Sequence, residues 1–256
     1  MKIILIGAGN MGQAILKGIS DKNVVIALHS LHSLEKQERL RSQFPEAQYV
    51  ASEGIDITDA MVIIAVKPQV YPTLKCMGCA KGVISVMAGV TLATLKNTIV
   101  AQNYIRAMPN LAASLGASIT ALTGDETLRE EAMTLLNGIG KTQWVMSEKE
   151  LDIATAVAGS GPAFMMLIAE ALADGAVNAG MKRGDAQVFV QGLFEGSAKL
   201  LATDHPAMIK DKVMSPGGTT AAGYAALERR GVRNALIEAI DDACTRARNL
   251  AQQGGK

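Results

Sequence analysis

The sequence predicts an α/β fold, with a mostly parallel sheet in residues 1–150 followed by an all-helical domain in residues 151–256. Three observations predict it. Short runs of apolar residues alternate with amphipathic stretches through the first half, the runs are nearly continuous, and strand patterns stop after about Lys149. Continuous apolar strands separated by helices are typical of a parallel sheet that is covered on both faces.

Seven strands are expected in the first half. They are residues 2–6, 24–28, 61–66, 83–87, 104–107, 117–122 and 142–146. Amphipathic helices are predicted between several of them, at 11–20, 33–43 and 126–139. The connections between the last strands are shorter, which indicates an antiparallel edge.

Five helices are expected in the second half, where glycines at 180, 184 and 231 separate segments with helical spacing of apolar residues. They are residues 162–179, 185–202, 206–213, 219–228 and 232–252. These helices are apolar around much of their circumference, and a helix of that kind needs partners on every side. A second copy of the chain would supply them, so we expect an obligate dimer through this half.

Composition excludes several classes of protein. The chain has 25 basic and 24 acidic residues, so its net charge of +1 gives no field for binding nucleic acid or an anionic membrane. Three cysteines cannot form the disulfide framework of a secreted protein, and the apolar run before Gly7 is too short for a secretory signal. The longest uncharged run, 153–169, is shorter than the ~20 residues of a membrane span. We therefore expect a soluble, cytoplasmic protein in which this run is a buried helix.

The turn after the first strand carries Gly7, Gly9 and Gly12, with Asn10 and Met11 before the last of them. In a strand–turn–helix context the first glycine permits a tight turn, the second lets backbone N–H groups reach a pyrophosphate, and the third lets helix and strand pack closely. The helix N-terminus then faces the anion. The motif predicts a Rossmann-type dinucleotide site; the alternative is a purely structural glycine turn.

The end of the second strand bears on which dinucleotide binds. NAD sites usually place an Asp or Glu there, whereas no acidic residue lies between Ala27 and Glu35. Ser30 and its neighbours, with Lys36 nearby, suit a 2′-phosphate better than a carboxylate would. NADPH is therefore the favoured cofactor and NADH the second candidate. Ser30 and Ser33 also suit a capping role for the helix 33–43, and the two roles are compatible.

The histidine and cysteine pairs do not predict a metal site. Zinc needs three or four ligands, and neither His29 with His32 nor Cys76 with Cys79 has a second ligand pair in the sequence to complete one. The CxxC pair also does not begin a helix after a first strand, as in thioredoxin-like proteins. Ordinary buried or surface thiols are the expectation.

Three later strands end in residues that we expect at one edge of the sheet. Val66, Lys67 and Pro68 follow one strand, Ala88 follows the next, and Asn110 follows the one after that. Because ligands of open α/β sheets bind outside the carboxyl ends of the strands, these residues predict a cofactor crevice. Each alone is equally consistent with an ordinary strand-to-helix turn.

The stretch 215–223 reads Ser-Pro-Gly-Gly-Thr-Thr-Ala-Ala-Gly and precedes a helical pattern. Glycines followed by hydroxyl residues at a helix start expose backbone N–H groups to an anion without a charged side chain. A substrate carboxylate would fit there, and a threonine hydroxyl would be able to donate to a nearby nitrogen or oxygen. The alternative is an N-cap with a tight turn.

Taken together, these motifs resemble pyrroline-5-carboxylate reductase over essentially the whole chain. The resemblance is carried by GAGNMG at 7–12, AVKPQ at 65–69, RAMPN at 106–110, AGSGPAF at 158–164 and SPGGTTAAG at 215–223, in the family's order and spacing. One departure is Ala112, where the family commonly has a proline. We expect this departure to alter a loop and not the chemistry.

The resemblance implies that NAD(P)H delivers hydride to the C=N carbon of 1-pyrroline-5-carboxylate and gives L-proline, the last step of proline biosynthesis. It implies cofactor contacts from Gly7, Gly9, Asn10, Met11, Gly12, Ser30, Val66, Lys67, Pro68, Ala88 and Asn110. It also implies that Ser215, Gly217, Gly218 and Thr219 hold the substrate carboxylate and that the Thr220 hydroxyl meets the imine nitrogen. Family dimers interlock through the helical half and commonly assemble into decamers.

Two other classes of function stay open at this point. Hydroxyacid dehydrogenases share the two-domain plan but use a catalytic lysine on the first long helix of the second domain, and residues 151–181 contain no lysine. A non-catalytic NADP-binding sensor on the same scaffold would have no reason to keep the 215–223 motif. Failure to reduce any imine despite tight NADPH binding would favour the sensor.

Overall fold

The computed structural model describes residues 2–19, 24–27, 33–50 and 53–253. The chain divides into two compact units. Met1–Ser160 and Asp242–Lys256 form the first, and Gly161–Asp241 forms the second. These units reflect packing and not function, so a cofactor domain at 1–150 and a substrate and dimerisation domain at 151–256 stay predictions.

Ten strands are described, and all of them belong to the first unit. They are β1 (Ile3–Ile6), β2 (Val24–Ala27), β3 (Gln48–Val50), β4 (Glu53–Asp56), β5 (Met61–Ile64), β6 (Lys75–Met77), β7 (Gly82–Ser85), β8 (Tyr104–Met108), β9 (Ser118–Gly124) and β10 (Gly140–Trp144). Eight of them form one sheet in the order β10-β9-β8-β7-β5-β1-β2-β3, and β4 pairs with β6 in a separate parallel sheet. Neighbours in the large sheet are parallel except β8 and β9, which are antiparallel.

The predicted strands and the predicted antiparallel edge are confirmed, although several ends differ by one or more residues. Strands β3, β4 and β6 have no counterpart in the prediction because they are three or four residues long and carry polar residues. Every residue of β1 and β5 is buried. Alternate β1 side chains enter two hydrophobic clusters, Ile3 and Leu5 on one face and Ile4 and Ile6 on the other. A sheet covered on both faces accounts for the continuous apolar runs.

Ten α-helices are described. They are α1 (Asn10–Gly18), α2 (Leu34–Gln43), α3 (Leu92–Thr98), α4 (Arg129–Leu136), α5 (Glu148–Ala154), α6 (Gly161–Asn178), α7 (Arg183–Leu201), α8 (Pro206–Val213), α9 (Thr219–Arg229) and α10 (Val232–Gln253). Every predicted helix is present, and short 3₁₀ turns on both sides of α4 fill the predicted segment 126–139. The prediction lacks only α3 and α5, each seven residues long. A π-helical turn, Thr155–Gly159, follows α5.

The apolar run 153–169 lies within a longer helical segment, Glu148–Asn178, of 31 residues. Among the described residues it is the one segment long and apolar enough, by length and composition, to cross a membrane, and a single helix of this kind is weak evidence. The prediction that this run is too short to span a membrane therefore fails for the longer helical segment that contains it. The expectation of burial fails in the single chain, where Met166 and Leu167 are 60% and 67% exposed. An apolar helix left exposed in this way needs a partner surface.

Candidate active site

The glycine-rich turn joins β1 to α1 at the carboxyl edge of the sheet. Gly7 has φ +100°, and a Cβ there would lie 2.7 Å from backbone atoms of Ala65 and Val66. A Cβ at Gly12 would collide with the Gly7 carbonyl oxygen, so both positions need glycine for close backbone approach. Gly9 is different: it is exposed, and a Cβ there would have no neighbour within 4 Å. The turn is thus closed towards the sheet at Gly7 and Gly12 and open at Gly9.

The positive dipole end of α1, at its N-terminus, is not neutralised by any side chain of its own first turn. Its N-cap is Gly9, no side chain caps it, and its first turn has no acidic residue. The first backbone N–H groups of a helix have no intrahelical partner and attract anions. Asn10, Met11 and Gly12 therefore present N–H groups at an exposed edge without a competing carboxylate.

The other predicted cofactor residues of the first unit follow strands that are neighbours in the sheet. Val66, Lys67 and Pro68 follow β5, Ala88 follows β7, and Asn110 follows β8. Strands β1, β5, β7 and β8 are adjacent and parallel, so these ends share one edge with the glycine turn. The chain leaves β1 for β2 on one side while β5 lies on the other, which makes the gap between β1 and β5 the switch point where such sheets bind ligands.

The structure bears only in part on the predicted 2′-phosphate contacts. Ser30, His29 and His32 lie outside the described residues. Ser33 is the N-cap of α2, and its hydroxyl accepts a hydrogen bond from the Lys36 N–H at 3.4 Å. The predicted capping role of Ser33 is therefore confirmed.

Asn110 uses both ends of its side-chain amide inside the protein. Its Oδ1 accepts from the Ala112 N–H at 3.1 Å, and its Nδ2 donates to the Ala158 carbonyl at 3.1 Å. Its backbone N–H donates to the Ser118 hydroxyl at 3.0 Å. The departure at Ala112 thus has a structural consequence, because a proline there would have no N–H to orient the Asn110 amide.

Arg106, the first residue of the 106–110 motif, has partners that the sequence does not reveal. It lies in β8 with 2% of its surface exposed, 2.8 Å from Glu148 and 3.6 Å from Asp152 on α5. Its Nε is buried and has no hydrogen-bond partner among the described residues. Burial raises the pKa of the Asp152 carboxyl above its usual value, and the Arg106 charge opposes that rise. The sequence signals are the 106–110 motif and a charged residue inside an apolar strand, and neither identifies the partner carboxylates.

The motif at 215–223 forms a tight turn and a helix start in the second unit. The Gly218 N–H donates to the Ser215 carbonyl at 3.0 Å, with Pro216 and Gly217 between them and Gly217 at φ +69°. This is a type II turn, which favours proline and then glycine at its centre. Gly218 is the N-cap of α9, whose first turn has no acid and no side-chain cap.

Two threonines begin α9 immediately after this turn. Thr219 and Thr220 are exposed, and within the described part of this chain their hydroxyls make no hydrogen bond. Their backbone N–H groups belong to the unpaired first turn of the helix. The segment therefore presents free hydroxyls and free N–H groups together.

The cysteines and acidic residues do not assemble into a metal site in the structure. Among the described residues, no group of three or more His, Cys, Asp or Glu side chains is close enough to hold a metal. Cys76 and Cys79 are half-buried free thiols, and burial raises the pKa of the Cys76 thiol. A raised pKa disfavours the reactive thiolate.

Comparison with known proteins identifies the family. Residues 148–250 match the family model described as pyrroline-5-carboxylate reductase dimerisation, and residues 2–89 match one described as NADP oxidoreductase, coenzyme F420-dependent. The pyrroline-5-carboxylate reductase of Synechocystis is 36% identical over 97% of this chain and 98% of its own length. The chain belongs to the pyrroline-5-carboxylate reductase family. The Escherichia coli family member is 33% identical over 98% of both chains.

Solved structures of the pyrroline-5-carboxylate reductase family agree with this fold. The 1-pyrroline-5-carboxylate reductase of Streptococcus pyogenes has a TM-score of 0.82 at 34% identity and covers 97% of this chain and 98% of its own. The Plasmodium falciparum structure, solved with NADP bound, has a TM-score of 0.76 at 23% identity and supports the fold alone. The dimerisation model covers the helices whose apolar side chains are exposed, and the chain is a homo-oligomer through its C-terminal region.

Proposed function

We propose that this chain reduces 1-pyrroline-5-carboxylate to L-proline with NADPH, the final step of proline biosynthesis. The observation that carries the proposal is its match to enzymes of that name over nearly the full length of both chains, at 36% and 33% identity for two of them. The fold and the motif geometry are consistent with it. The chain is accordingly an NAD(P)H-dependent oxidoreductase that acts on a C=N bond.

The glycine turn fits a dinucleotide. The open space above Gly9 gives a pyrophosphate room to approach the backbone, and the uncapped, acid-free N-terminus of α1 supplies N–H groups for it. We assign the pyrophosphate to Gly7, Gly9, Asn10, Met11 and Gly12. If Gly9 packed against the sheet as Gly7 does, no room would remain for the pyrophosphate. The open space at Gly9 therefore supports this assignment.

The remaining cofactor contacts are assigned along the same edge. Val66, Lys67 and Pro68 would contact the ribose and nicotinamide region, with Ala88 and Asn110 beyond them, and Ser30 would contact the 2′-phosphate. Asn110 would contribute through its backbone carbonyl, because its side chain already serves Ala112 and Ala158 and its backbone N–H serves Ser118. NADPH is the preferred cofactor and NADH the alternative.

The substrate is assigned to the turn before α9. Ser215, Gly217, Gly218 and Thr219 would hold its carboxylate with N–H and hydroxyl donors, since no acid in the first turn competes for them. Thr220 would donate its free hydroxyl to the ring nitrogen. A hydroxyl suits this task because it orients the nitrogen without titrating near neutral pH.

The chemistry requires orientation more than acid–base catalysis. When bound, the reduced nicotinamide would supply the hydride that reduces the C=N carbon to CH₂, and the ring nitrogen would take its one proton from solvent. The chain's own groups would hold the carboxylate, orient the ring nitrogen and exclude water. Such positioning lowers the activation barrier of hydride transfer, because the reactants are already oriented and little solvent has to reorganise.

We also propose that the homo-oligomer is built from dimers that assemble further into decamers, in the cytoplasm, without binding nucleic acid or membranes. The net charge of +1 supports the last point. A groove of ≈ 1200 Å³ between α6 and α7, lined by Met166, Leu167 and Phe194 among others, supports helix-mediated pairing.

Thr220→Ala tests the assignment of the catalytic hydroxyl. We expect turnover to fall by about 10- to 1000-fold, the range for loss of one positioned polar group, while Thr220→Ser retains most activity. Thr203→Ala is the matched control, because Thr203 is an exposed threonine of the same unit whose hydroxyl donates to the Leu200 carbonyl. Wild-type turnover in Thr220→Ala would refute the assignment.

A further inference from the structure

Two polar side chains of β8 and its exit hold α5 and the π-helical turn alongside that strand. Arg106, inside the strand, contacts Glu148 and Asp152, which lie one turn apart on α5. Asn110, four residues later, donates to the Ala158 carbonyl in the π-helical turn. Because later strand residues contact later helix residues, the segment runs along β8 and brings its π-helical turn to the carboxyl edge of the sheet.

The Asn110 bond replaces a donor that the helix itself lacks. In an α-helix the Ala158 carbonyl would accept from the N–H four residues on, but that residue is Pro162, which has none. A half-buried carbonyl without a partner is costly, and the Asn110 amide supplies a donor in place of the N–H that α-helical pairing lacks here. Asn110 and Pro162 therefore act as complementary parts of one local structure.

The π-helical turn has little else to hold it in place. Its residues, from Thr155 to Gly159, are small, and only Ala156 is buried. The Thr155 hydroxyl donates to the Leu151 carbonyl at 2.7 Å, a bond that competes with regular helical pairing and bends helices. The Ser160 N–H donates to the Thr155 carbonyl at 3.1 Å. A segment with one small buried side chain depends on its polar anchor for its position.

The exposed part of the turn stands beside the crevice. Val157 is 54% exposed and Gly159 is exposed, next to the end of β8. Strand β7 is the neighbour of β8, and the exposed Ala88 follows it at the same edge. The turn is thus a wall of the crevice at the strand ends, and π-helical turns are frequent at functional sites.

We propose that Asn110 is a positioning residue of the reduction, whose carboxamide fixes the π-helical turn Thr155–Gly159 as a wall of the cofactor crevice. The inference rests on the proposed function, in which the reacting end of the cofactor lies at this edge. Arg106 supports the same wall by fixing the two preceding helical turns. The Asn110 side chain acts through the turn and not as a ligand.

The test compares Asn110→Asp and Asn110→Ala with Asn103→Ala. Asn103 precedes β8 at the opposite edge, where its Nδ2 donates to the Lys81 carbonyl at 3.2 Å and its Oδ1 accepts from the Thr127 hydroxyl. It is therefore matched to Asn110 in bonding but remote from the crevice. Asn110→Asp keeps the size and the acceptor for Ala112 while removing the donor to Ala158.

Two measurements are made on the full chain. Hydrogen exchange without cofactor is expected to quicken at least about tenfold in peptides covering residues 154–161 for both Asn110 variants and not for Asn103→Ala. In steady-state kinetics we expect kcat to fall about 10- to 100-fold in both Asn110 variants, as for a misplacement on the order of 1 Å. The KM for NADPH should change by less than about threefold, because the side chain does not bind the cofactor.

Unchanged exchange in residues 154–161 would overturn the proposal, and so would a kcat equal to that of Asn103→Ala. A raised KM for NADPH with unchanged kcat would also overturn it and would make Asn110 a direct cofactor ligand. Failure of the proposed function is a separate result, namely wild-type protein that oxidises no NADPH with 1-pyrroline-5-carboxylate. The hydrogen-exchange measurement tests the anchoring role of Asn110 whether or not the protein reduces 1-pyrroline-5-carboxylate.

Discussion

Alanine substitutions at Gly7 and Gly9 should separate the folding role of the glycine-rich turn from its binding role. Gly7 adopts φ +100°, and an added Cβ would lie 2.7 Å from the backbone of Ala65 and Val66. Gly9 has φ −72° and ψ −171°, which alanine adopts readily, and an added Cβ meets nothing within 4 Å. The same chemical change therefore meets two different environments two residues apart.

The expected sizes follow from these environments. Gly7→Ala combines left-handed backbone strain of about 1–2 kcal/mol with overpacking of about 1–3 kcal/mol, so the free energy of unfolding should fall by about 2–5 kcal/mol. Gly9→Ala should change that free energy by less than about 1 kcal/mol, because the restriction of the unfolded chain by alanine is opposed by the poorer fit of alanine to the N-cap of α1. Its Cβ would occupy the proposed pyrophosphate space, and a similar overpacking cost of about 1–3 kcal/mol raises the NADPH Kd by about 5- to 150-fold.

Urea unfolding of the cofactor-free variants and titration with NADPH measure the two effects. We expect opposite patterns: an unstable Gly7→Ala protein, and a stable Gly9→Ala protein that binds NADPH weakly. Wild-type NADPH affinity in Gly9→Ala would refute the assignment of the pyrophosphate to this turn. Wild-type stability of Gly7→Ala would refute the packing argument.

Two further predictions concern alkaline stability and assembly. Burial raises the pKa of Tyr71 to about 12 from a usual value of 10.0, so its contribution to stability is complete below pH 10 and is lost as the pH rises through 12. Wild type should therefore lose stability relative to Tyr71→Phe across that window in unfolding experiments, and parallel curves would contradict this. Leu167→Asp on the exposed face of α6 should lower the oligomeric mass measured by light scattering, because it removes about 1.5–3 kcal/mol of apolar burial per side chain and adds a charge. Val100→Asp, an equally exposed apolar position of the first unit, should keep the wild-type mass.

The sequence predicts the large sheet well because its central strands are short, continuous apolar runs, which differ clearly from the amphipathic pattern of the helices between them. Helix α3 is harder to predict because part of its N-terminus is stabilised from a distance. The Leu92 N–H at its start donates to the Glu148 carboxylate at 2.9 Å, 56 residues away in the chain. The residues near α3 in the sequence therefore do not predict that bond. Short strands such as β3 and β4 are similarly set by pairing and not by propensity.

The candidate site likewise combines local structures that the sequence predicts with long-range contacts that it does not. The glycine turn and the turn at 215–218 are local structures, so glycine and proline positions predict them. The Arg106–Glu148 and Asn110–Ala158 contacts join residues 42 and 48 apart in the chain. The motifs name Arg106 and Asn110, but only the fold shows what these side chains hold.

The central claim is tested most directly by following the loss of reduced-nicotinamide absorbance with 1-pyrroline-5-carboxylate, using NADPH and NADH in parallel. We expect rapid oxidation of NADPH, slower oxidation of NADH, and one molecule of L-proline formed for each molecule of cofactor oxidised. A folded protein that binds NADPH but oxidises neither cofactor would contradict the reductase assignment and favour an NADP-binding sensor.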